Sequence, residues 1–158
     1  MSLDDTLYLD LEAGRVTIEL YADVAPKHVA RIKELAGSGF YDGLTFHRVI
    51  EGFMAQGGDP DGTGMGGSGQ NIDAEFSDKP HERGTCSMAR SQDPNSGDSQ
   101  FFICFGDSSF LDGQYSVWGQ VTDGMDHVDT LKRGEGMDFC MNGNPGKIIK
   151  MQIAADAE

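Results

Sequence analysis

Phe46-His47-Arg48-Val49-Ile50-Glu51-Gly52-Phe53-Met54-Ala55-Gln56-Gly57-Gly58-Asp59 sets one arginine among aromatic, thioether and amide side chains, in a strand-like run that ends in glycines. Ser87-Met88-Ala89-Arg90 and then Ser99-Gln100-Phe101-Phe102-Ile103 repeat that mixture, and Phe110-Leu111-Asp112-Gly113-Gln114-Tyr115 follows closely. A permanent cation and two amides beside Phe, Met and Leu suit a neutral apolar ring carried on a peptide backbone. Other chemistries fit poorly. His28, His47, His81 and His127 lack the spacing of a zinc site. No G-x-S-x-G elbow occurs. Asp59-Pro60-Asp61-Gly62-Thr63-Gly64, with Gln70 beyond, mimics the start of a calcium loop, but it contains a proline and lacks the closing glutamate and flanking helices. The same run lacks the Gly-Lys-Ser/Thr ending of a phosphate loop. No metal and no cofactor are expected.

Positioning these residues falls mainly to short strands. Leu7–Leu11 and Val16–Leu20 alternate with the period of half-buried strands, and Glu12-Ala13-Gly14 between them predicts a hairpin. Pro26 opens a predicted helix that runs to about Ala36, with Val29, Ile32 and Leu35 on one face and Gly37 to end it. A second helix is predicted from Met125 to Arg133, capped by Asp123 and ended by Gly134. Between the helices lie short strands and glycine-rich turns, without repeats or linkers. The pattern alone gives a mostly β chain, barrel or sandwich.

At 158 residues the chain suits a single domain, 1–158, with a core that needs no staples. Cys86, Cys104 and Cys140 are odd in number, and the first two sit in apolar runs where a buried thiol is expected. No signal peptide or membrane span is visible, and a cytoplasmic location is expected. With 26 acidic residues against 12 basic, the net charge of −14 repels phosphate backbones and anionic lipid. Nucleic acid and membrane are therefore excluded as partners. The dispersed acids make a solvated surface; adaptation to a salty cytoplasm is the sharper alternative.

FHRVIxGFMAQGGD, SMAR, SQFFI and FLDG, taken together and in this order, resemble the cyclophilin family of peptidyl-prolyl cis-trans isomerases, and the resemblance spans Leu7 to Ile153. It implies a closed eight-stranded antiparallel β-barrel capped by two α-helices, with an active groove on its outer face. It also implies cofactor-free rotation about Xaa-Pro bonds by a monomer of bacterial type that serves proline-containing peptides and folding proteins. Arg48 is then the catalytic donor. Phe53, Met54, Phe102 and Leu111 line the proline pocket, with Tyr115 where many members carry histidine. Gln56 and Gln100 address the substrate backbone, and the backbone from Ala89 through Arg90 to Ser91 pairs with the extended peptide. His47 is expected to turn away from Arg48 and pack internally.

Four departures stand out. Phe110 takes the place of a tryptophan whose indole N–H serves cyclosporin, so weakened cyclosporin binding is expected. Arg90 replaces a common asparagine, and Gln92-Asp93-Pro94-Asn95 is one residue longer than the eukaryotic loop. Glu51 replaces a proline. The competing reading is a proline-peptide binding module or chaperone without turnover; retention of Arg48 and the pocket residues argues for the enzyme.

Overall fold

The computed structural model describes residues 3–61, 66–131 and 146–157. The first hairpin forms as the alternation predicts. β1 (Thr6–Leu11) and β2 (Gly14–Leu20) pair antiparallel from Thr6 opposite Glu19 to Leu11 opposite Gly14. Leu7, Leu9, Val16 and Ile18 point inward and are fully buried.

The first helix, α1 (Pro26–Gly37), begins at the predicted proline and buries Val29, Ile32, Leu35 and Ala36. It does not end by means of Gly37. Ser38 is its C-cap, and Gly39 adopts φ 79°, so that the Gly39 N–H reaches Ala36 O and the Phe40 N–H reaches Leu35 O. This double hydrogen bond needs a left-handed residue just past the cap, which glycine supplies without steric cost. At the other end, Glu75 accepts the N–H groups of Lys27 and His28, capping the helix from far along the chain.

The remaining strands are β3 (Arg48–Ile50), β4 (Met54–Gly57), β5 (Thr85–Met88), β6 (Phe101–Cys104), β7 (Val117–Asp123) and β8 (Ile148–Ile153). With the first two they make one eight-stranded antiparallel sheet in the order β3-β4-β6-β5-β7-β2-β1-β8. The sheet curls strongly but remains an open half-barrel, not the closed barrel that the resemblance implied. β3 pairs only with β4 among the described residues, while the chain before it meets the start of β8 through Gly43 N–H to Ile148 O, Phe46 N–H to Gly146 O and Ile148 N–H to Leu44 O. The chain leaves strand geometry between Thr45 and Arg48, so β3 and β8 stay unjoined as strands.

The second helix, α2 (Met125–Val128), is shorter than predicted: Asp129 is its C-cap and the chain turns through Leu131, while Arg133 and Gly134 lie outside the described residues. Asp123 does not cap it. Gly124 stands at the N-cap with φ 86° and presses against Arg15 O, where a Cβ would come within 2.4 Å. α1 packs on β8 and α2 on β2. No helix among the described residues is long and apolar enough to cross a membrane.

Alternation along the strands separates two apolar clusters. Phe101 and Ile103 of β6 face the main core with Trp118, Phe46 and Tyr41. Phe102 and Cys104 face the other side, with Met54 and Leu111, and Ile50, Phe53, Ala89 and Tyr115 pack around them. Cys86 and Cys104 are free buried thiols, as expected, and burial pushes Cys104 up to about 12 and Cys86 well above its usual value. Neither is a nucleophile at neutral pH. Cys140 lies outside the described residues.

Candidate active site

The outer cluster floors a groove whose polar wall is set by strand register. Arg48 lies opposite Gln56 across β3–β4, and Gln56 lies opposite Phe102 across β4–β6, so all three side chains share one face. Arg48 Nη1 donates to Gln56 Oε1 at 3.4 Å, Gln56 Nε2 donates to Gln100 Oε1 at 2.9 Å, and Gln100 Nε2 donates to Gly66 O at 2.8 Å. The relay fixes which end of each amide faces the arginine.

A cavity of about 130 Å³ is lined by Arg48, Phe53, Met54, Gln56, Ala89, Arg90, Phe102, Leu111 and Tyr115. Nine of the twelve residues singled out from sequence thus meet in one small hole, with apolar side chains at its floor and polar groups, Arg48 and Arg90 among them, in its walls. A second cavity of about 440 Å³ adjoins it and takes in Ser91 and Gln100 besides Gln56, Ala89 and Arg90. Phe110 lines neither. Its ring is 65% exposed and lies against Phe53 at 5.4 Å, extending the aromatic wall outward.

The segment Ala89–Ser91 differs from the expected peptide-pairing edge in one respect. The Ala89 N–H is donated to Gln100 O and the Ser91 N–H to Ser96 Oγ, so neither amide is available to a ligand. Arg90 bridges to the facing loop. Its Nε and Nη2 donate to Gln114 O at 3.1 and 2.8 Å, Nη1 donates to Ser91 O at 2.9 Å, and the guanidinium lies 4.6 Å over the Tyr115 ring.

Beneath the pocket sits His81, which sequence reasoning did not assign to the site. Its fully buried ring stacks on Phe102 at 6.0 Å and meets Tyr115 edge-on at 6.4 Å. Nδ1 lies 3.0 Å from Asp112 Oδ1, which also accepts the His81 N–H at 2.7 Å, and Nε2 lies 3.0 Å from Ser87 Oγ. The Ser108 N–H closes on His81 O. Burial pulls the imidazole below its ordinary value of 6.5 against the pull of Asp112, while the His81 N–H holds the Asp112 carboxyl below 3.8. A neutral ring donating from Nδ1 to the carboxylate leaves Nε2 to accept from the Ser87 hydroxyl, in competition with Ser116 O, which lies 3.1 Å from the same Oγ. Residues 81 and 112 have no periodic relation, so no sequence signal points to the pair.

His47 is buried, as expected, and burial lowers its pKa. Asp59, from the calcium-like run, is buried, and its Oδ1 accepts the Asp61 N–H. Residues 62–65 of that run lie outside the described residues, and no metal-holding cluster of three or more His, Cys, Asp or Glu occurs among the described ones.

The sequence profile of the family described as cyclophilin type peptidyl-prolyl cis-trans isomerase/CLD matches residues 6–153. The chain belongs to this family. Cyclophilin membership makes it a peptidyl-prolyl cis-trans isomerase, an enzyme class that needs no cofactor. A probable peptidyl-prolyl cis-trans isomerase of Brucella suis is 50% identical over 98% of this chain and 85% of its own length. A crystallised cyclophilin of Hirschia baltica superposes with a TM-score of 0.87 at 30% identity, covering 99% of this chain and 76% of that one. A cyclophilin type isomerase of Cryptosporidium parvum, crystallised in the presence of the dipeptide Ala-Pro, gives 0.85 at 32% identity over 94% and 98%.

Proposed function

We propose that the groove binds proline-containing segments of peptides and folding proteins, with the proline ring in the small cavity, and that Arg48 drives the isomerisation. Resonance in the amide raises a barrier of roughly 20 kcal/mol to rotation. In the twisted transition state that resonance is lost, and the prolyl nitrogen becomes pyramidal and basic. A donor aimed at this nitrogen stabilises the transition state above either ground state, which is the requirement for catalysis. Arg48 is always charged and carries a rigid fork of N–H groups. Phe53, Met54, Phe102, Leu111 and Tyr115 would grip the ring, while Gln56 and Gln100 hold the flanking backbone. Gripping one side while the other turns is positioning, and it contributes to the rate.

The observation that carries this reading is the shared face of Arg48, Gln56 and Phe102 around one cavity. In the same reading the whole chain, 1–158, is a single isomerase domain that acts as a cytoplasmic monomer and assists protein folding. The test is isomerisation of an Ala-Pro peptide followed by NMR exchange, with wild type and Arg48→Ala side by side. Fast exchange that falls by at least about a hundredfold in the variant is expected, a loss of roughly 3 kcal/mol of transition-state binding. A peptide bound by wild type without acceleration would indicate a binding module. Full activity in the variant would remove Arg48 from the mechanism.

A further inference from the structure

We propose that Arg90 makes the groove selective for prolyl peptides bearing a carboxylate side chain close to the proline. The inference rests on the reading of the groove as the isomerase site and adds the charge of the substrate to it.

Arg90 lines both cavities and stands where they meet. Its guanidinium is fixed by the carbonyl oxygens of Gln114, Ser91 and Gln92 and by the Tyr115 face, all of them neutral groups. The other described arginines outside the pocket are neutralised: Arg15 by Asp10, Arg31 by Glu34 and Arg83 by Asp129. Among the described residues Arg90 has no carboxylate within ion-pair distance, in a chain with 26 acidic residues against 12 basic.

Asp98 also lines the second cavity, and its charge is already engaged. Its Oδ1 accepts the N–H and O–H of Ser68, and its Oδ2 accepts the Gly69 N–H. Arg90 is therefore a held, half-buried cation that faces the ligand space with no ionic partner among the described residues. Because the side chain is already ordered, a carboxylate meeting it pays little further entropy for a charge-assisted contact. The net charge of −14 repels acidic peptides at long range, but salt near 0.15 M, with a Debye length of about 8 Å, screens that effect and leaves the local contact.

The experiment measures kcat/KM by NMR exchange for paired peptides that differ only in Glu against Gln, at each of the two positions before proline and the two after it. Wild type should favour Glu by about fivefold at one of these positions, the size of one charge contact at a half-exposed site. The ratio should fall to near one in Arg90→Gln and be partly retained in Arg90→Lys. A ratio of one at all four positions, or one that survives in Arg90→Gln, overturns the proposal. If Arg90→Gln loses the loop that it anchors and turns over neither peptide, the wild-type Glu/Gln ratio between about 0.15 M salt, where the long-range repulsion is already screened, and about 1 M decides. A falling ratio supports Arg90 and a constant one overturns it. If wild type itself turns over no peptide, the isomerase reading fails, and dissociation constants of the same pairs from chemical-shift titration still decide on Arg90.

Discussion

A guanidinium serves a twisted prolyl amide only if its fork is aimed, and Gln56 is placed to aim it. The Gln56 carbonyl holds Arg48 Nη1 while its amide nitrogen is tied to Gln100, which is tied in turn to Gly66 O. In Gln56→Leu the arginine keeps its charge and loses the Gln56 carbonyl that helps to aim it. kcat/KM is expected to fall about tenfold, or roughly 1.4 kcal/mol, with the unfolding midpoint little changed because Gln56 is only half-buried. Exchange kinetics and a denaturant titration on the same samples check this; an unaltered rate would show that Arg48 is oriented without Gln56. Phe110 allows a second test. Its exposed ring continues the wall built by Phe53 but offers no donor. Phe110→Trp adds an indole N–H at the groove rim, and cyclosporin should bind about tenfold more tightly, as one added hydrogen bond allows. Equal affinities, by titration calorimetry, would mean that the ring contributes only by packing.

Three buried histidines join elements that are distant in sequence. His28 of α1 contacts Glu75, His47 lies just before β3, and His81 fastens the 108–115 loop under the pocket. Burial is the largest cause in each case and lowers the pKa from 6.5 in the folded chain. The unfolded chain then binds more protons between the folded value and 6.5, so stability is full above about pH 6.5 and is lost as pH falls below it. Each histidine contributes a slope of at most about 1.4 kcal/mol per pH unit. Asp112, whose folded pKa is depressed below 3.8, adds a separate loss only as pH falls through that value. Denaturant titrations from pH 7 to 5 should show falling stability, and His81→Gln should flatten the slope by about a third. A variant slope equal to that of wild type would mean that His81 is protonated equally in both states. These ties also mark the limit of what the sequence discloses. β1, β2 and the start of α1 are legible because their apolar residues repeat at 2.0 or 3.6. The pocket residues are legible because three compact blocks carry them. The His81–Asp112 tie joins residues without any common period, and the closure of α1 by a left-handed Gly39 instead of Gly37 is decided by which nearby glycine lets its own N–H and that of Phe40 reach Ala36 O and Leu35 O. The open edge between β3 and β8 depends on where the chain leaves strand geometry after Thr45, which no local pattern encodes.

At the scale of the whole molecule the acidic excess acts against the fold. A net charge of −14 is compressed onto the surface when the chain folds, whereas the unfolded chain spreads it out. Exposed ion pairs offset little of this. Arg15–Asp10, Arg83–Asp129 and Lys33–Asp5 are open to water and contribute about 0–1 kcal/mol each. Salt weakens both terms, but the repulsion involves many more charges than the pairs do, so added salt should stabilise the protein. Between about 0.01 and about 0.3 M sodium chloride the Debye length shrinks from roughly 30 Å to below 10 Å, and the melting temperature should rise by several degrees. Beyond that range the rise should level off, since screening over the spacing of surface charges is then nearly complete. The shape of the curve is what discriminates. Stabilisation by salt excluded from the surface keeps growing with concentration, whereas relief of self-repulsion saturates. A melting temperature that stays flat or falls over the first interval would mean that the dispersed acids are neutral in energy and that the surface pairs carry more weight than their exposure suggests.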